Sequence, residues 1–248
     1  MKAIILVAGY ATRLYPLTEN KPKALLGLDG KPILNYIIEQ VNLINEINEI
    51  IVVSNDKFYK HFEEWKFENK IPITVLNDGT TTEDGRLGAI GDIYFAIQKL
   101  NIKEDIMVIA GDNYFTYQLS DYFKYYKRIN KDCICVKPIE DYEDRKRYAI
   151  VIVDGDSKVI DLEEKPPYPK SDLAAFATYI YKQETLPLFQ EYLDSGNNKD
   201  APGFFVQWLY KEKDVHAYKM SGECYDIGTP ESYREVNEIV KNINSGNI

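Results

Sequence analysis

Cysteine, histidine and long apolar runs are what this chain has least of. Three Cys and two His among 248 residues supply neither an even disulfide framework nor the clusters that hold structural zinc. Cys133 and Cys135 alternate within an apolar run, so they are expected on one face of a strand as buried thiols, with Cys224 standing alone. His61 and His216 are isolated and read as structural or surface residues rather than catalytic ones. Positive charge is scarce too. Thirty Lys and Arg against 39 Asp and Glu give a net charge of -9, which argues against general binding to nucleic acid or to an acidic membrane surface. An anionic small molecule is still allowed, because local clusters count for more than the total. No apolar span is long enough for a membrane helix and no leader precedes the first strand, so a cytoplasmic, reducing setting is expected.

What the chain does have is core material, at 45% hydrophobic residues, and a clear change of pattern near its middle. Residues 3–7, 50–53, 73–76 and 106–109 are β-branched runs that read as strands. Between them, 33–47, 58–67 and 89–100 carry apolar residues at helical spacing. This alternation predicts an α/β fold with a doubly wound, mainly parallel sheet and ligands at the carboxyl ends of its strands. The second half reads as strands joined by turns (132–137, 148–153, 159–163, 174–181, 215–218 and 224–227), with helices near 184–193 and 204–210. Thr229 is the expected N-cap of a last helix that has Pro230 at its first position. No linker or repeat interrupts the chain. Its 20 Tyr read as compositional bias rather than function.

The loop after the first strand carries the most chemistry. Ala8, Gly9 and Ala11 are small enough for backbone amides to approach a bound group closely, while Arg13 and Lys23 add fixed positive charge. That combination suits phosphate oxygens, although a glycine-rich turn with two exposed cations would look the same at this length. The longer run, Gly9-Tyr10-Ala11-Thr12-Arg13-Leu14-Tyr15-Pro16-Leu17-Thr18 followed by Lys21-Pro22-Lys23-Ala24-Leu25, resembles the N-terminal motif of the sugar-phosphate nucleotidylyltransferases. Later motifs extend the resemblance over nearly the whole chain. Ala11 replaces the commoner second glycine of that motif, and Gly27 stands where the family often has proline.

The resemblance implies a single Rossmann-like domain over 1–248, with a nucleotide-binding half at about 1–115 and a small antiparallel acceptor-binding subregion in about 116–248. It implies that Arg13 faces the outer phosphates of an NTP and that Lys23 serves the α-phosphate, both as catalytic residues. Asp112 of Gly111-Asp112-Asn113 and Asp226 of Asp226-Ile227-Gly228-Thr229 would bind one Mg2+, which takes carboxylate, phosphate and water oxygens. Ala8 to Thr12, with Asn77, Asp78, Gly79 and Gly88 of the long Gly/Thr/Asp loop, would hold the nucleotide. On the acceptor side, the Glu163-Glu164-Lys165-Pro166 motif assigns sugar hydroxyls to Glu164 and a phosphate to Lys165, with Tyr148 and Tyr179 nearby. Ala149 and Ala177 replace family glycines and add two methyl groups, which are expected to narrow the acceptor pocket.

The expected partners are therefore an NTP and a small phosphorylated acceptor, first of all a sugar 1-phosphate. A homo-oligomer is compatible with the resemblance. No β-helix domain is expected beyond Asp226. Two other readings stay open: a cytidylyltransferase using CTP and a smaller phosphorylated alcohol or amide, and a nucleotide-binding regulatory protein without turnover. A glycosyltransferase is disfavoured, because Asp112-Asn113-Tyr114 is no Asp-x-Asp metal motif.

Overall fold

The computed structural model describes residues 1–66 and 69–246. The helix expected over 58–67 thus has its last residue outside the described range. The chain opens with β1 (Lys2–Leu6), then β2 (Gly27–Leu28), β3 (Lys31–Pro32) and α1 (Ile33–Val41). β4 (Glu49–Ser54), α2 (Asp56–Trp65), β5 (Ile73–Asn77), α3 (Ala89–Lys99) and β6 (Ile106–Ala110) complete an alternating half. There follow β7 (Asn113–Phe115), α4 (Leu119–Ile129), β8 (Asp132–Pro138), the one-turn α5 (Tyr142–Arg145), β9 (Ala149–Val153), β10 (Val159–Glu164) and β11 (Leu173–Tyr181). The chain finishes with α6 (Leu186–Asp194), α7 (Pro202–Glu212), β12 (Val215–Lys219), β13 (Cys224–Asp226) and α8 (Pro230–Asn244).

Nine strands form one sheet in the order β10-β9-β11-β6-β1-β4-β5, with β8 paired to β11 and β12 to β8. β6, β1, β4 and β5 run parallel, as the alternation of the first half predicts. β11 enters antiparallel to β6, so the antiparallel strands continue the same sheet rather than forming a separate layer. A register shift in β11 between Phe176 and Tyr179 hands its inner edge from β9 to β6. Such a bulge bends a strand and re-aims its side chains.

Strand alternation fills both faces. Ala3, Ile5, Ile50, Val52, Met107 and Ile109 pack on one side, and Ile4, Ile51, Val53, Ile106 and Val108 on the other. Cys133 and Cys135 lie buried together in the first of these cores, as their spacing predicts. Two readings need correction. The helix expected over 33–47 ends at Val41, and Ile44 and Ile47 reach the core from turns. α4 was not legible as a helix, because its inward positions are Leu119, Tyr122, Phe123 and Tyr126 and its tyrosines read as compositional bias. Tyrosine is core material in this chain: Tyr122 and Tyr126 of α4 are buried, and Tyr117, Tyr122, Tyr181 and Tyr192 are among the largest fully buried side chains.

A third cluster matters for position. Val236 and Val240 of α8 pack with Leu14, Leu26, Leu28, Tyr114 and Ile227, so the last helix clamps both the loop after β1 and the end of β13. Thr229 caps α8 as expected, accepting from Ser232 N–H at 3.2 Å, with Pro230 at the first position. Among the described residues, no helix is long and apolar enough to cross a membrane.

Candidate active site

The loops that follow β1, β5 and β6 meet at the carboxyl ends of the parallel strands, where a cleft of about 320 Å³ opens. Ala8, Gly9, Ala11, Arg13, Lys23, Gly88 and Asp112 line it. Of the residues assigned to the nucleotide and the metal, it omits Tyr10, Thr12, Asn77, Asp78, Gly79 and Asp226.

The loop after β1 is held from behind. The Val7 amide donates to Val53 O at 2.9 Å, and the buried Asn55 amide donates to Ala8 O at 2.8 Å. The Tyr10 hydroxyl donates to Thr80 O at 3.0 Å from inside the fold. Tyr10 is therefore an anchor of the loop rather than a cleft residue. Ala11 sits in the left-handed region (φ 49°), the conformation for which the family glycine is suited, and Thr18 Oγ1 donates to its carbonyl at 2.7 Å. Among the described residues, the amides of Ala8, Gly9, Tyr10 and Ala11 donate to no protein acceptor. A methyl group at Gly9 would meet no protein atom within 4 Å. The loop thus offers unmet donors beside open space, which is what an anion needs.

Lys23 is the centre of charge. Pro22 opens a short turn, Lys23–Leu25, that buries the lysine stem while its Nζ lies 3.0 Å from Asp112 Oδ2 and 3.8 Å from Asp226 Oδ1. The two carboxylates expected to share a metal are therefore brought together, from the end of β6 and from β13. The antiparallel pairing of Asp226 with Asn113 fixes their spacing. Gly111, just before Asp112, admits no side chain, since a Cβ there would lie 2.4 Å from Val7 Cγ1. Arg13 approaches the same corner: its guanidinium and Asp226 Oδ2 flank Gly228, each 3.4 Å from where a Cβ would stand. Among the described residues, no group of three or more His, Cys, Asp or Glu side chains gathers as a metal cage. Two half-exposed carboxylates fit a cation that takes its remaining oxygens from phosphate and water.

The long loop after β5 behaves differently from expectation. Asn77 is spent on local contacts, donating to Asp56 Oδ1 at 2.7 Å and accepting from Gly79 N–H at 2.8 Å. Asp78 accepts from the Thr80 amide and hydroxyl and stands behind the cleft wall. Thr12 donates to Glu83 of this loop at 3.3 Å, closing it towards the loop after β1. Gly88 does reach the cleft, with φ at 79°. Its missing side chain is also required by protein, because a Cβ would lie 2.5 Å from Lys199 O. Ala89 and Ile90 donate their amides to Asp200 O (3.2 Å) and Lys199 O (3.0 Å), so the start of α3 is capped by backbone.

Three cleft residues were given no role of their own by the sequence reading. Arg86 pairs with Asp200 at 3.4 Å, and both line the cleft. Asp92, in the first turn of α3, is 5% exposed and lines it too. An acid in a helix's first turn is ordinary chemistry, which hid Asp92. Burial first, and then the charge of Asp78, pushes its carboxyl up to about 8.

The acceptor-side motif lies at the end of β10. Glu164 is tucked against α7: a Cβ on Gly203 would fall on its carboxylate. Burial raises the Glu164 carboxyl, and Lys165 opposes that shift. Lys165 adopts φ 49° and its amide donates to Tyr148 O at 3.1 Å, so the two assigned residues are tied together. The Tyr148 ring packs on Phe176 (5.1 Å). Tyr179 is buried, stacked on Tyr181 at 5.9 Å, and takes no place on the cleft wall. Only one of the two extra methyl groups narrows the cleft. Ala177, at the β11 bulge, lines it, whereas Ala149 is buried beside Gly203.

A family model described as nucleotidyl transferase matches residues 2–243. This chain belongs to that family. The chain is 31% identical over 239 residues to a Sulfolobus acidocaldarius protein provisionally named as a mannose-1-phosphate guanyltransferase, covering 96% of this chain and 62% of that one. It is 30% identical over 239 residues to the bifunctional protein GlmU of Methanocaldococcus jannaschii, covering 96% and 54%. The chain thus spans a little over half the length of these two relatives. The UTP–glucose-1-phosphate uridylyltransferase AglF of Haloferax volcanii is 26% identical over 241 residues and is covered to 96% of both chains. Among solved structures, an apo UDP-glucose pyrophosphorylase superposes with a TM-score of 0.83 at 18% identity, covering 98% of this chain and 99% of that one. That likeness is one of fold.

Proposed function

We propose that this chain is a nucleotidylyltransferase that moves NMP from an NTP to a phosphorylated acceptor, in the first place a sugar 1-phosphate, releasing pyrophosphate. The observation that carries this reading is the convergence of Asp112 and Asp226 on Lys23, whose Nζ lies 3.0 and 3.8 Å from them, beside Arg13 and a loop of unmet amides. Two of the relatives' names point the same way, one a mannose-1-phosphate guanyltransferase and one a UTP–glucose-1-phosphate uridylyltransferase.

In this reading the open amides of Ala8 to Ala11 and the Arg13 fork receive the outer phosphates. Lys23 stands at the α-phosphorus, where its fixed charge is worth most as negative charge builds on the equatorial oxygens. An acceptor phosphate oxygen attacks the α-phosphorus in line. The bond to the bridging oxygen breaks, and pyrophosphate leaves with that electron pair. Asp112 and Asp226 would hold Mg2+, which neutralises phosphate charge when bound. The Lys23–Asp112 ion pair keeps both groups in place before substrate arrives. Glu164, Lys165 and Tyr148 are not among the residues lining this cleft; we assign them to the acceptor on the strength of their motif and of the backbone bond that ties Lys165 to Tyr148. The first half, about 1–115, serves the nucleotide.

The cytidylyltransferase reading with a smaller acceptor is favoured by one observation, the Ala177 methyl group on the cleft wall. Pyrophosphate release over a matrix of the four NTPs with hexose 1-phosphates and small phosphorylated alcohols separates the two. The sugar reading expects efficient turnover with at least one hexose 1-phosphate. Turnover confined to the small acceptors contradicts it.

A further inference from the structure

Asp92 is the cleft residue to which the proposed reaction gives no task. It is 5% exposed and lines the cleft from the α3 wall, yet its Oδ1 is buried and accepts no hydrogen bond. Burial first, then the charge of Asp78 and hydrogen bonding with it, raise the Asp92 carboxyl, and two carboxyls can share a hydrogen bond only when one is protonated. The proton belongs to Asp92. Asp78 is the better-stabilised anion, because the Thr80 amide (2.7 Å) and hydroxyl (2.8 Å) both donate to its Oδ1. With its proton directed at Asp78, Asp92 retains acceptor capacity that the protein leaves unmet. No protein group among the described residues donates to the carboxyl, and an acceptor on so buried a side chain seldom goes without a donor, so a ligand in the cleft is the expected source for whichever oxygen does not face Asp78.

The surroundings say what kind of ligand group. A pair of acids repels phosphate, whose oxygens are already served by Arg13, Lys23 and the open amides. Gly88 and Ala89 come just before Asp92 at the start of α3 and line the same cleft, so the nearest wall of the helix is small and uncharged. Such a place suits a neutral group carrying N–H or O–H. We propose that Asp92, positioned by Asp78, is a specificity-determining residue that accepts a hydrogen bond from the nucleoside, either a base N–H or a ribose O–H. The inference rests on the cleft being a nucleotide site, as argued above.

The charged groups that face Asp92 are Asp78 at the end of β5 and Lys199 before α7, with Asp56 of α2 acting on Asp78. Arg86 and Asp200 share the cleft as an ion pair. Below about pH 8 the carboxyl pair holds one proton. Above it, two adjacent negative charges disturb the geometry, and nucleotide affinity falls.

The test is calorimetric binding of the four ribonucleoside triphosphates and their 2′-deoxy forms to the full chain, in the wild type, Asp92→Ala and Asp92→Asn. Asparagine keeps an acceptor and can still donate to Asp78; alanine does neither. Asp92→Ala is expected to weaken the preferred NTP about tenfold or more and to shrink its lead over the other bases. Asp92→Asn is expected to stay within about threefold of wild type and to lose the wild-type decline in affinity between pH 7 and pH 9. A base donor shows as altered base ranking with the 2′-deoxy forms bound normally. A ribose donor shows as weak 2′-deoxy binding that Asp92→Ala does not weaken further. A folded Asp92→Ala chain with wild-type affinity and ranking overturns the inference while the proposed function stands. If the alanine variant does not fold, an Asp92→Asn chain that keeps the wild-type pH profile overturns it. A wild-type chain that binds no NTP contradicts the proposed function itself.

Discussion

Lys23 shows what one buried cation does for this site. With its stem in the core and its ammonium between Asp112 and Asp226, it holds two carboxylates together that would otherwise repel. That these three residues meet was expected only through the family resemblance, because a strand end or a turn opening with a charged residue is common by itself. Asp92 was not legible, because nothing in a first-turn acid announces that it will be buried beside a second acid. Its burial makes a separate stability prediction. The folded state holds the Asp92 proton up to about pH 8, whereas an unfolded aspartate loses it near pH 4. Between those limits the folded form binds more protons, so stability falls as pH rises, by up to about 1.4 kcal/mol per pH unit. Asp92→Asn removes this term. The variant should melt higher than wild type at pH 8, with the gain shrinking towards pH 4, as thermal melts across that range would show; equal melting temperatures at pH 8 would contradict the burial argument.

At the scale of elements, α3 is the hinge of the site. Its first two amides are taken by the carbonyls of Lys199 and Asp200, which joins the loop before α7 to the wall carrying Gly88 and Asp92. Gly88 was read as part of the nucleotide-holding loop, and the structure adds a protein neighbour, Lys199 O, that no local pattern could reveal. Gly88→Ala sets a Cβ 2.5 Å from Lys199 O at φ 79°. With ψ at 160° the backbone lies in a region essentially confined to glycine, which alone costs an alanine roughly 1–3 kcal/mol, and the backbone clash adds to it. We expect a clearly lowered melting temperature and weaker NTP binding, with a fold still recognisable by circular dichroism. Wild-type stability would mean that the 199–200 segment is not held against α3. The strands of the first half were readable because short, continuous β-branched runs separated by helical periodicity have few other interpretations. α4 failed for the opposite reason. Its buried face is mostly tyrosine, a residue that serves surface and core alike.

For the molecule as a whole, a single nine-stranded sheet carries both the nucleotide-side loops and the acceptor-side strands. β11 spans the junction: its outer half pairs with β9 and its inner half with β6, and the bulge between them puts Ala177 on the cleft wall. α8, the last helix, closes the arrangement by packing Val236 and Val240 against Leu14 and Ile227. A net charge of -9 is therefore no obstacle to binding polyphosphate, because the cations that matter are concentrated in one corner. The general architecture followed from the order of motifs. The meeting of Asp226 with Asp112 depended on a two-strand pairing between segments more than a hundred residues apart, which motif order implied only through family resemblance.

The most direct measurement is pyrophosphate release by Asp112→Asn beside the wild type, at saturating NTP and sugar 1-phosphate across a magnesium titration. Asp112 is half-exposed, so the folded state should survive the change, as a melt would verify. The account predicts magnesium-dependent turnover in the wild type and a loss of about a hundredfold or more in the variant, with NTP binding largely kept. Full magnesium-dependent turnover by the variant would contradict the assignment of Asp112, Asp226 and Lys23 as the reacting centre.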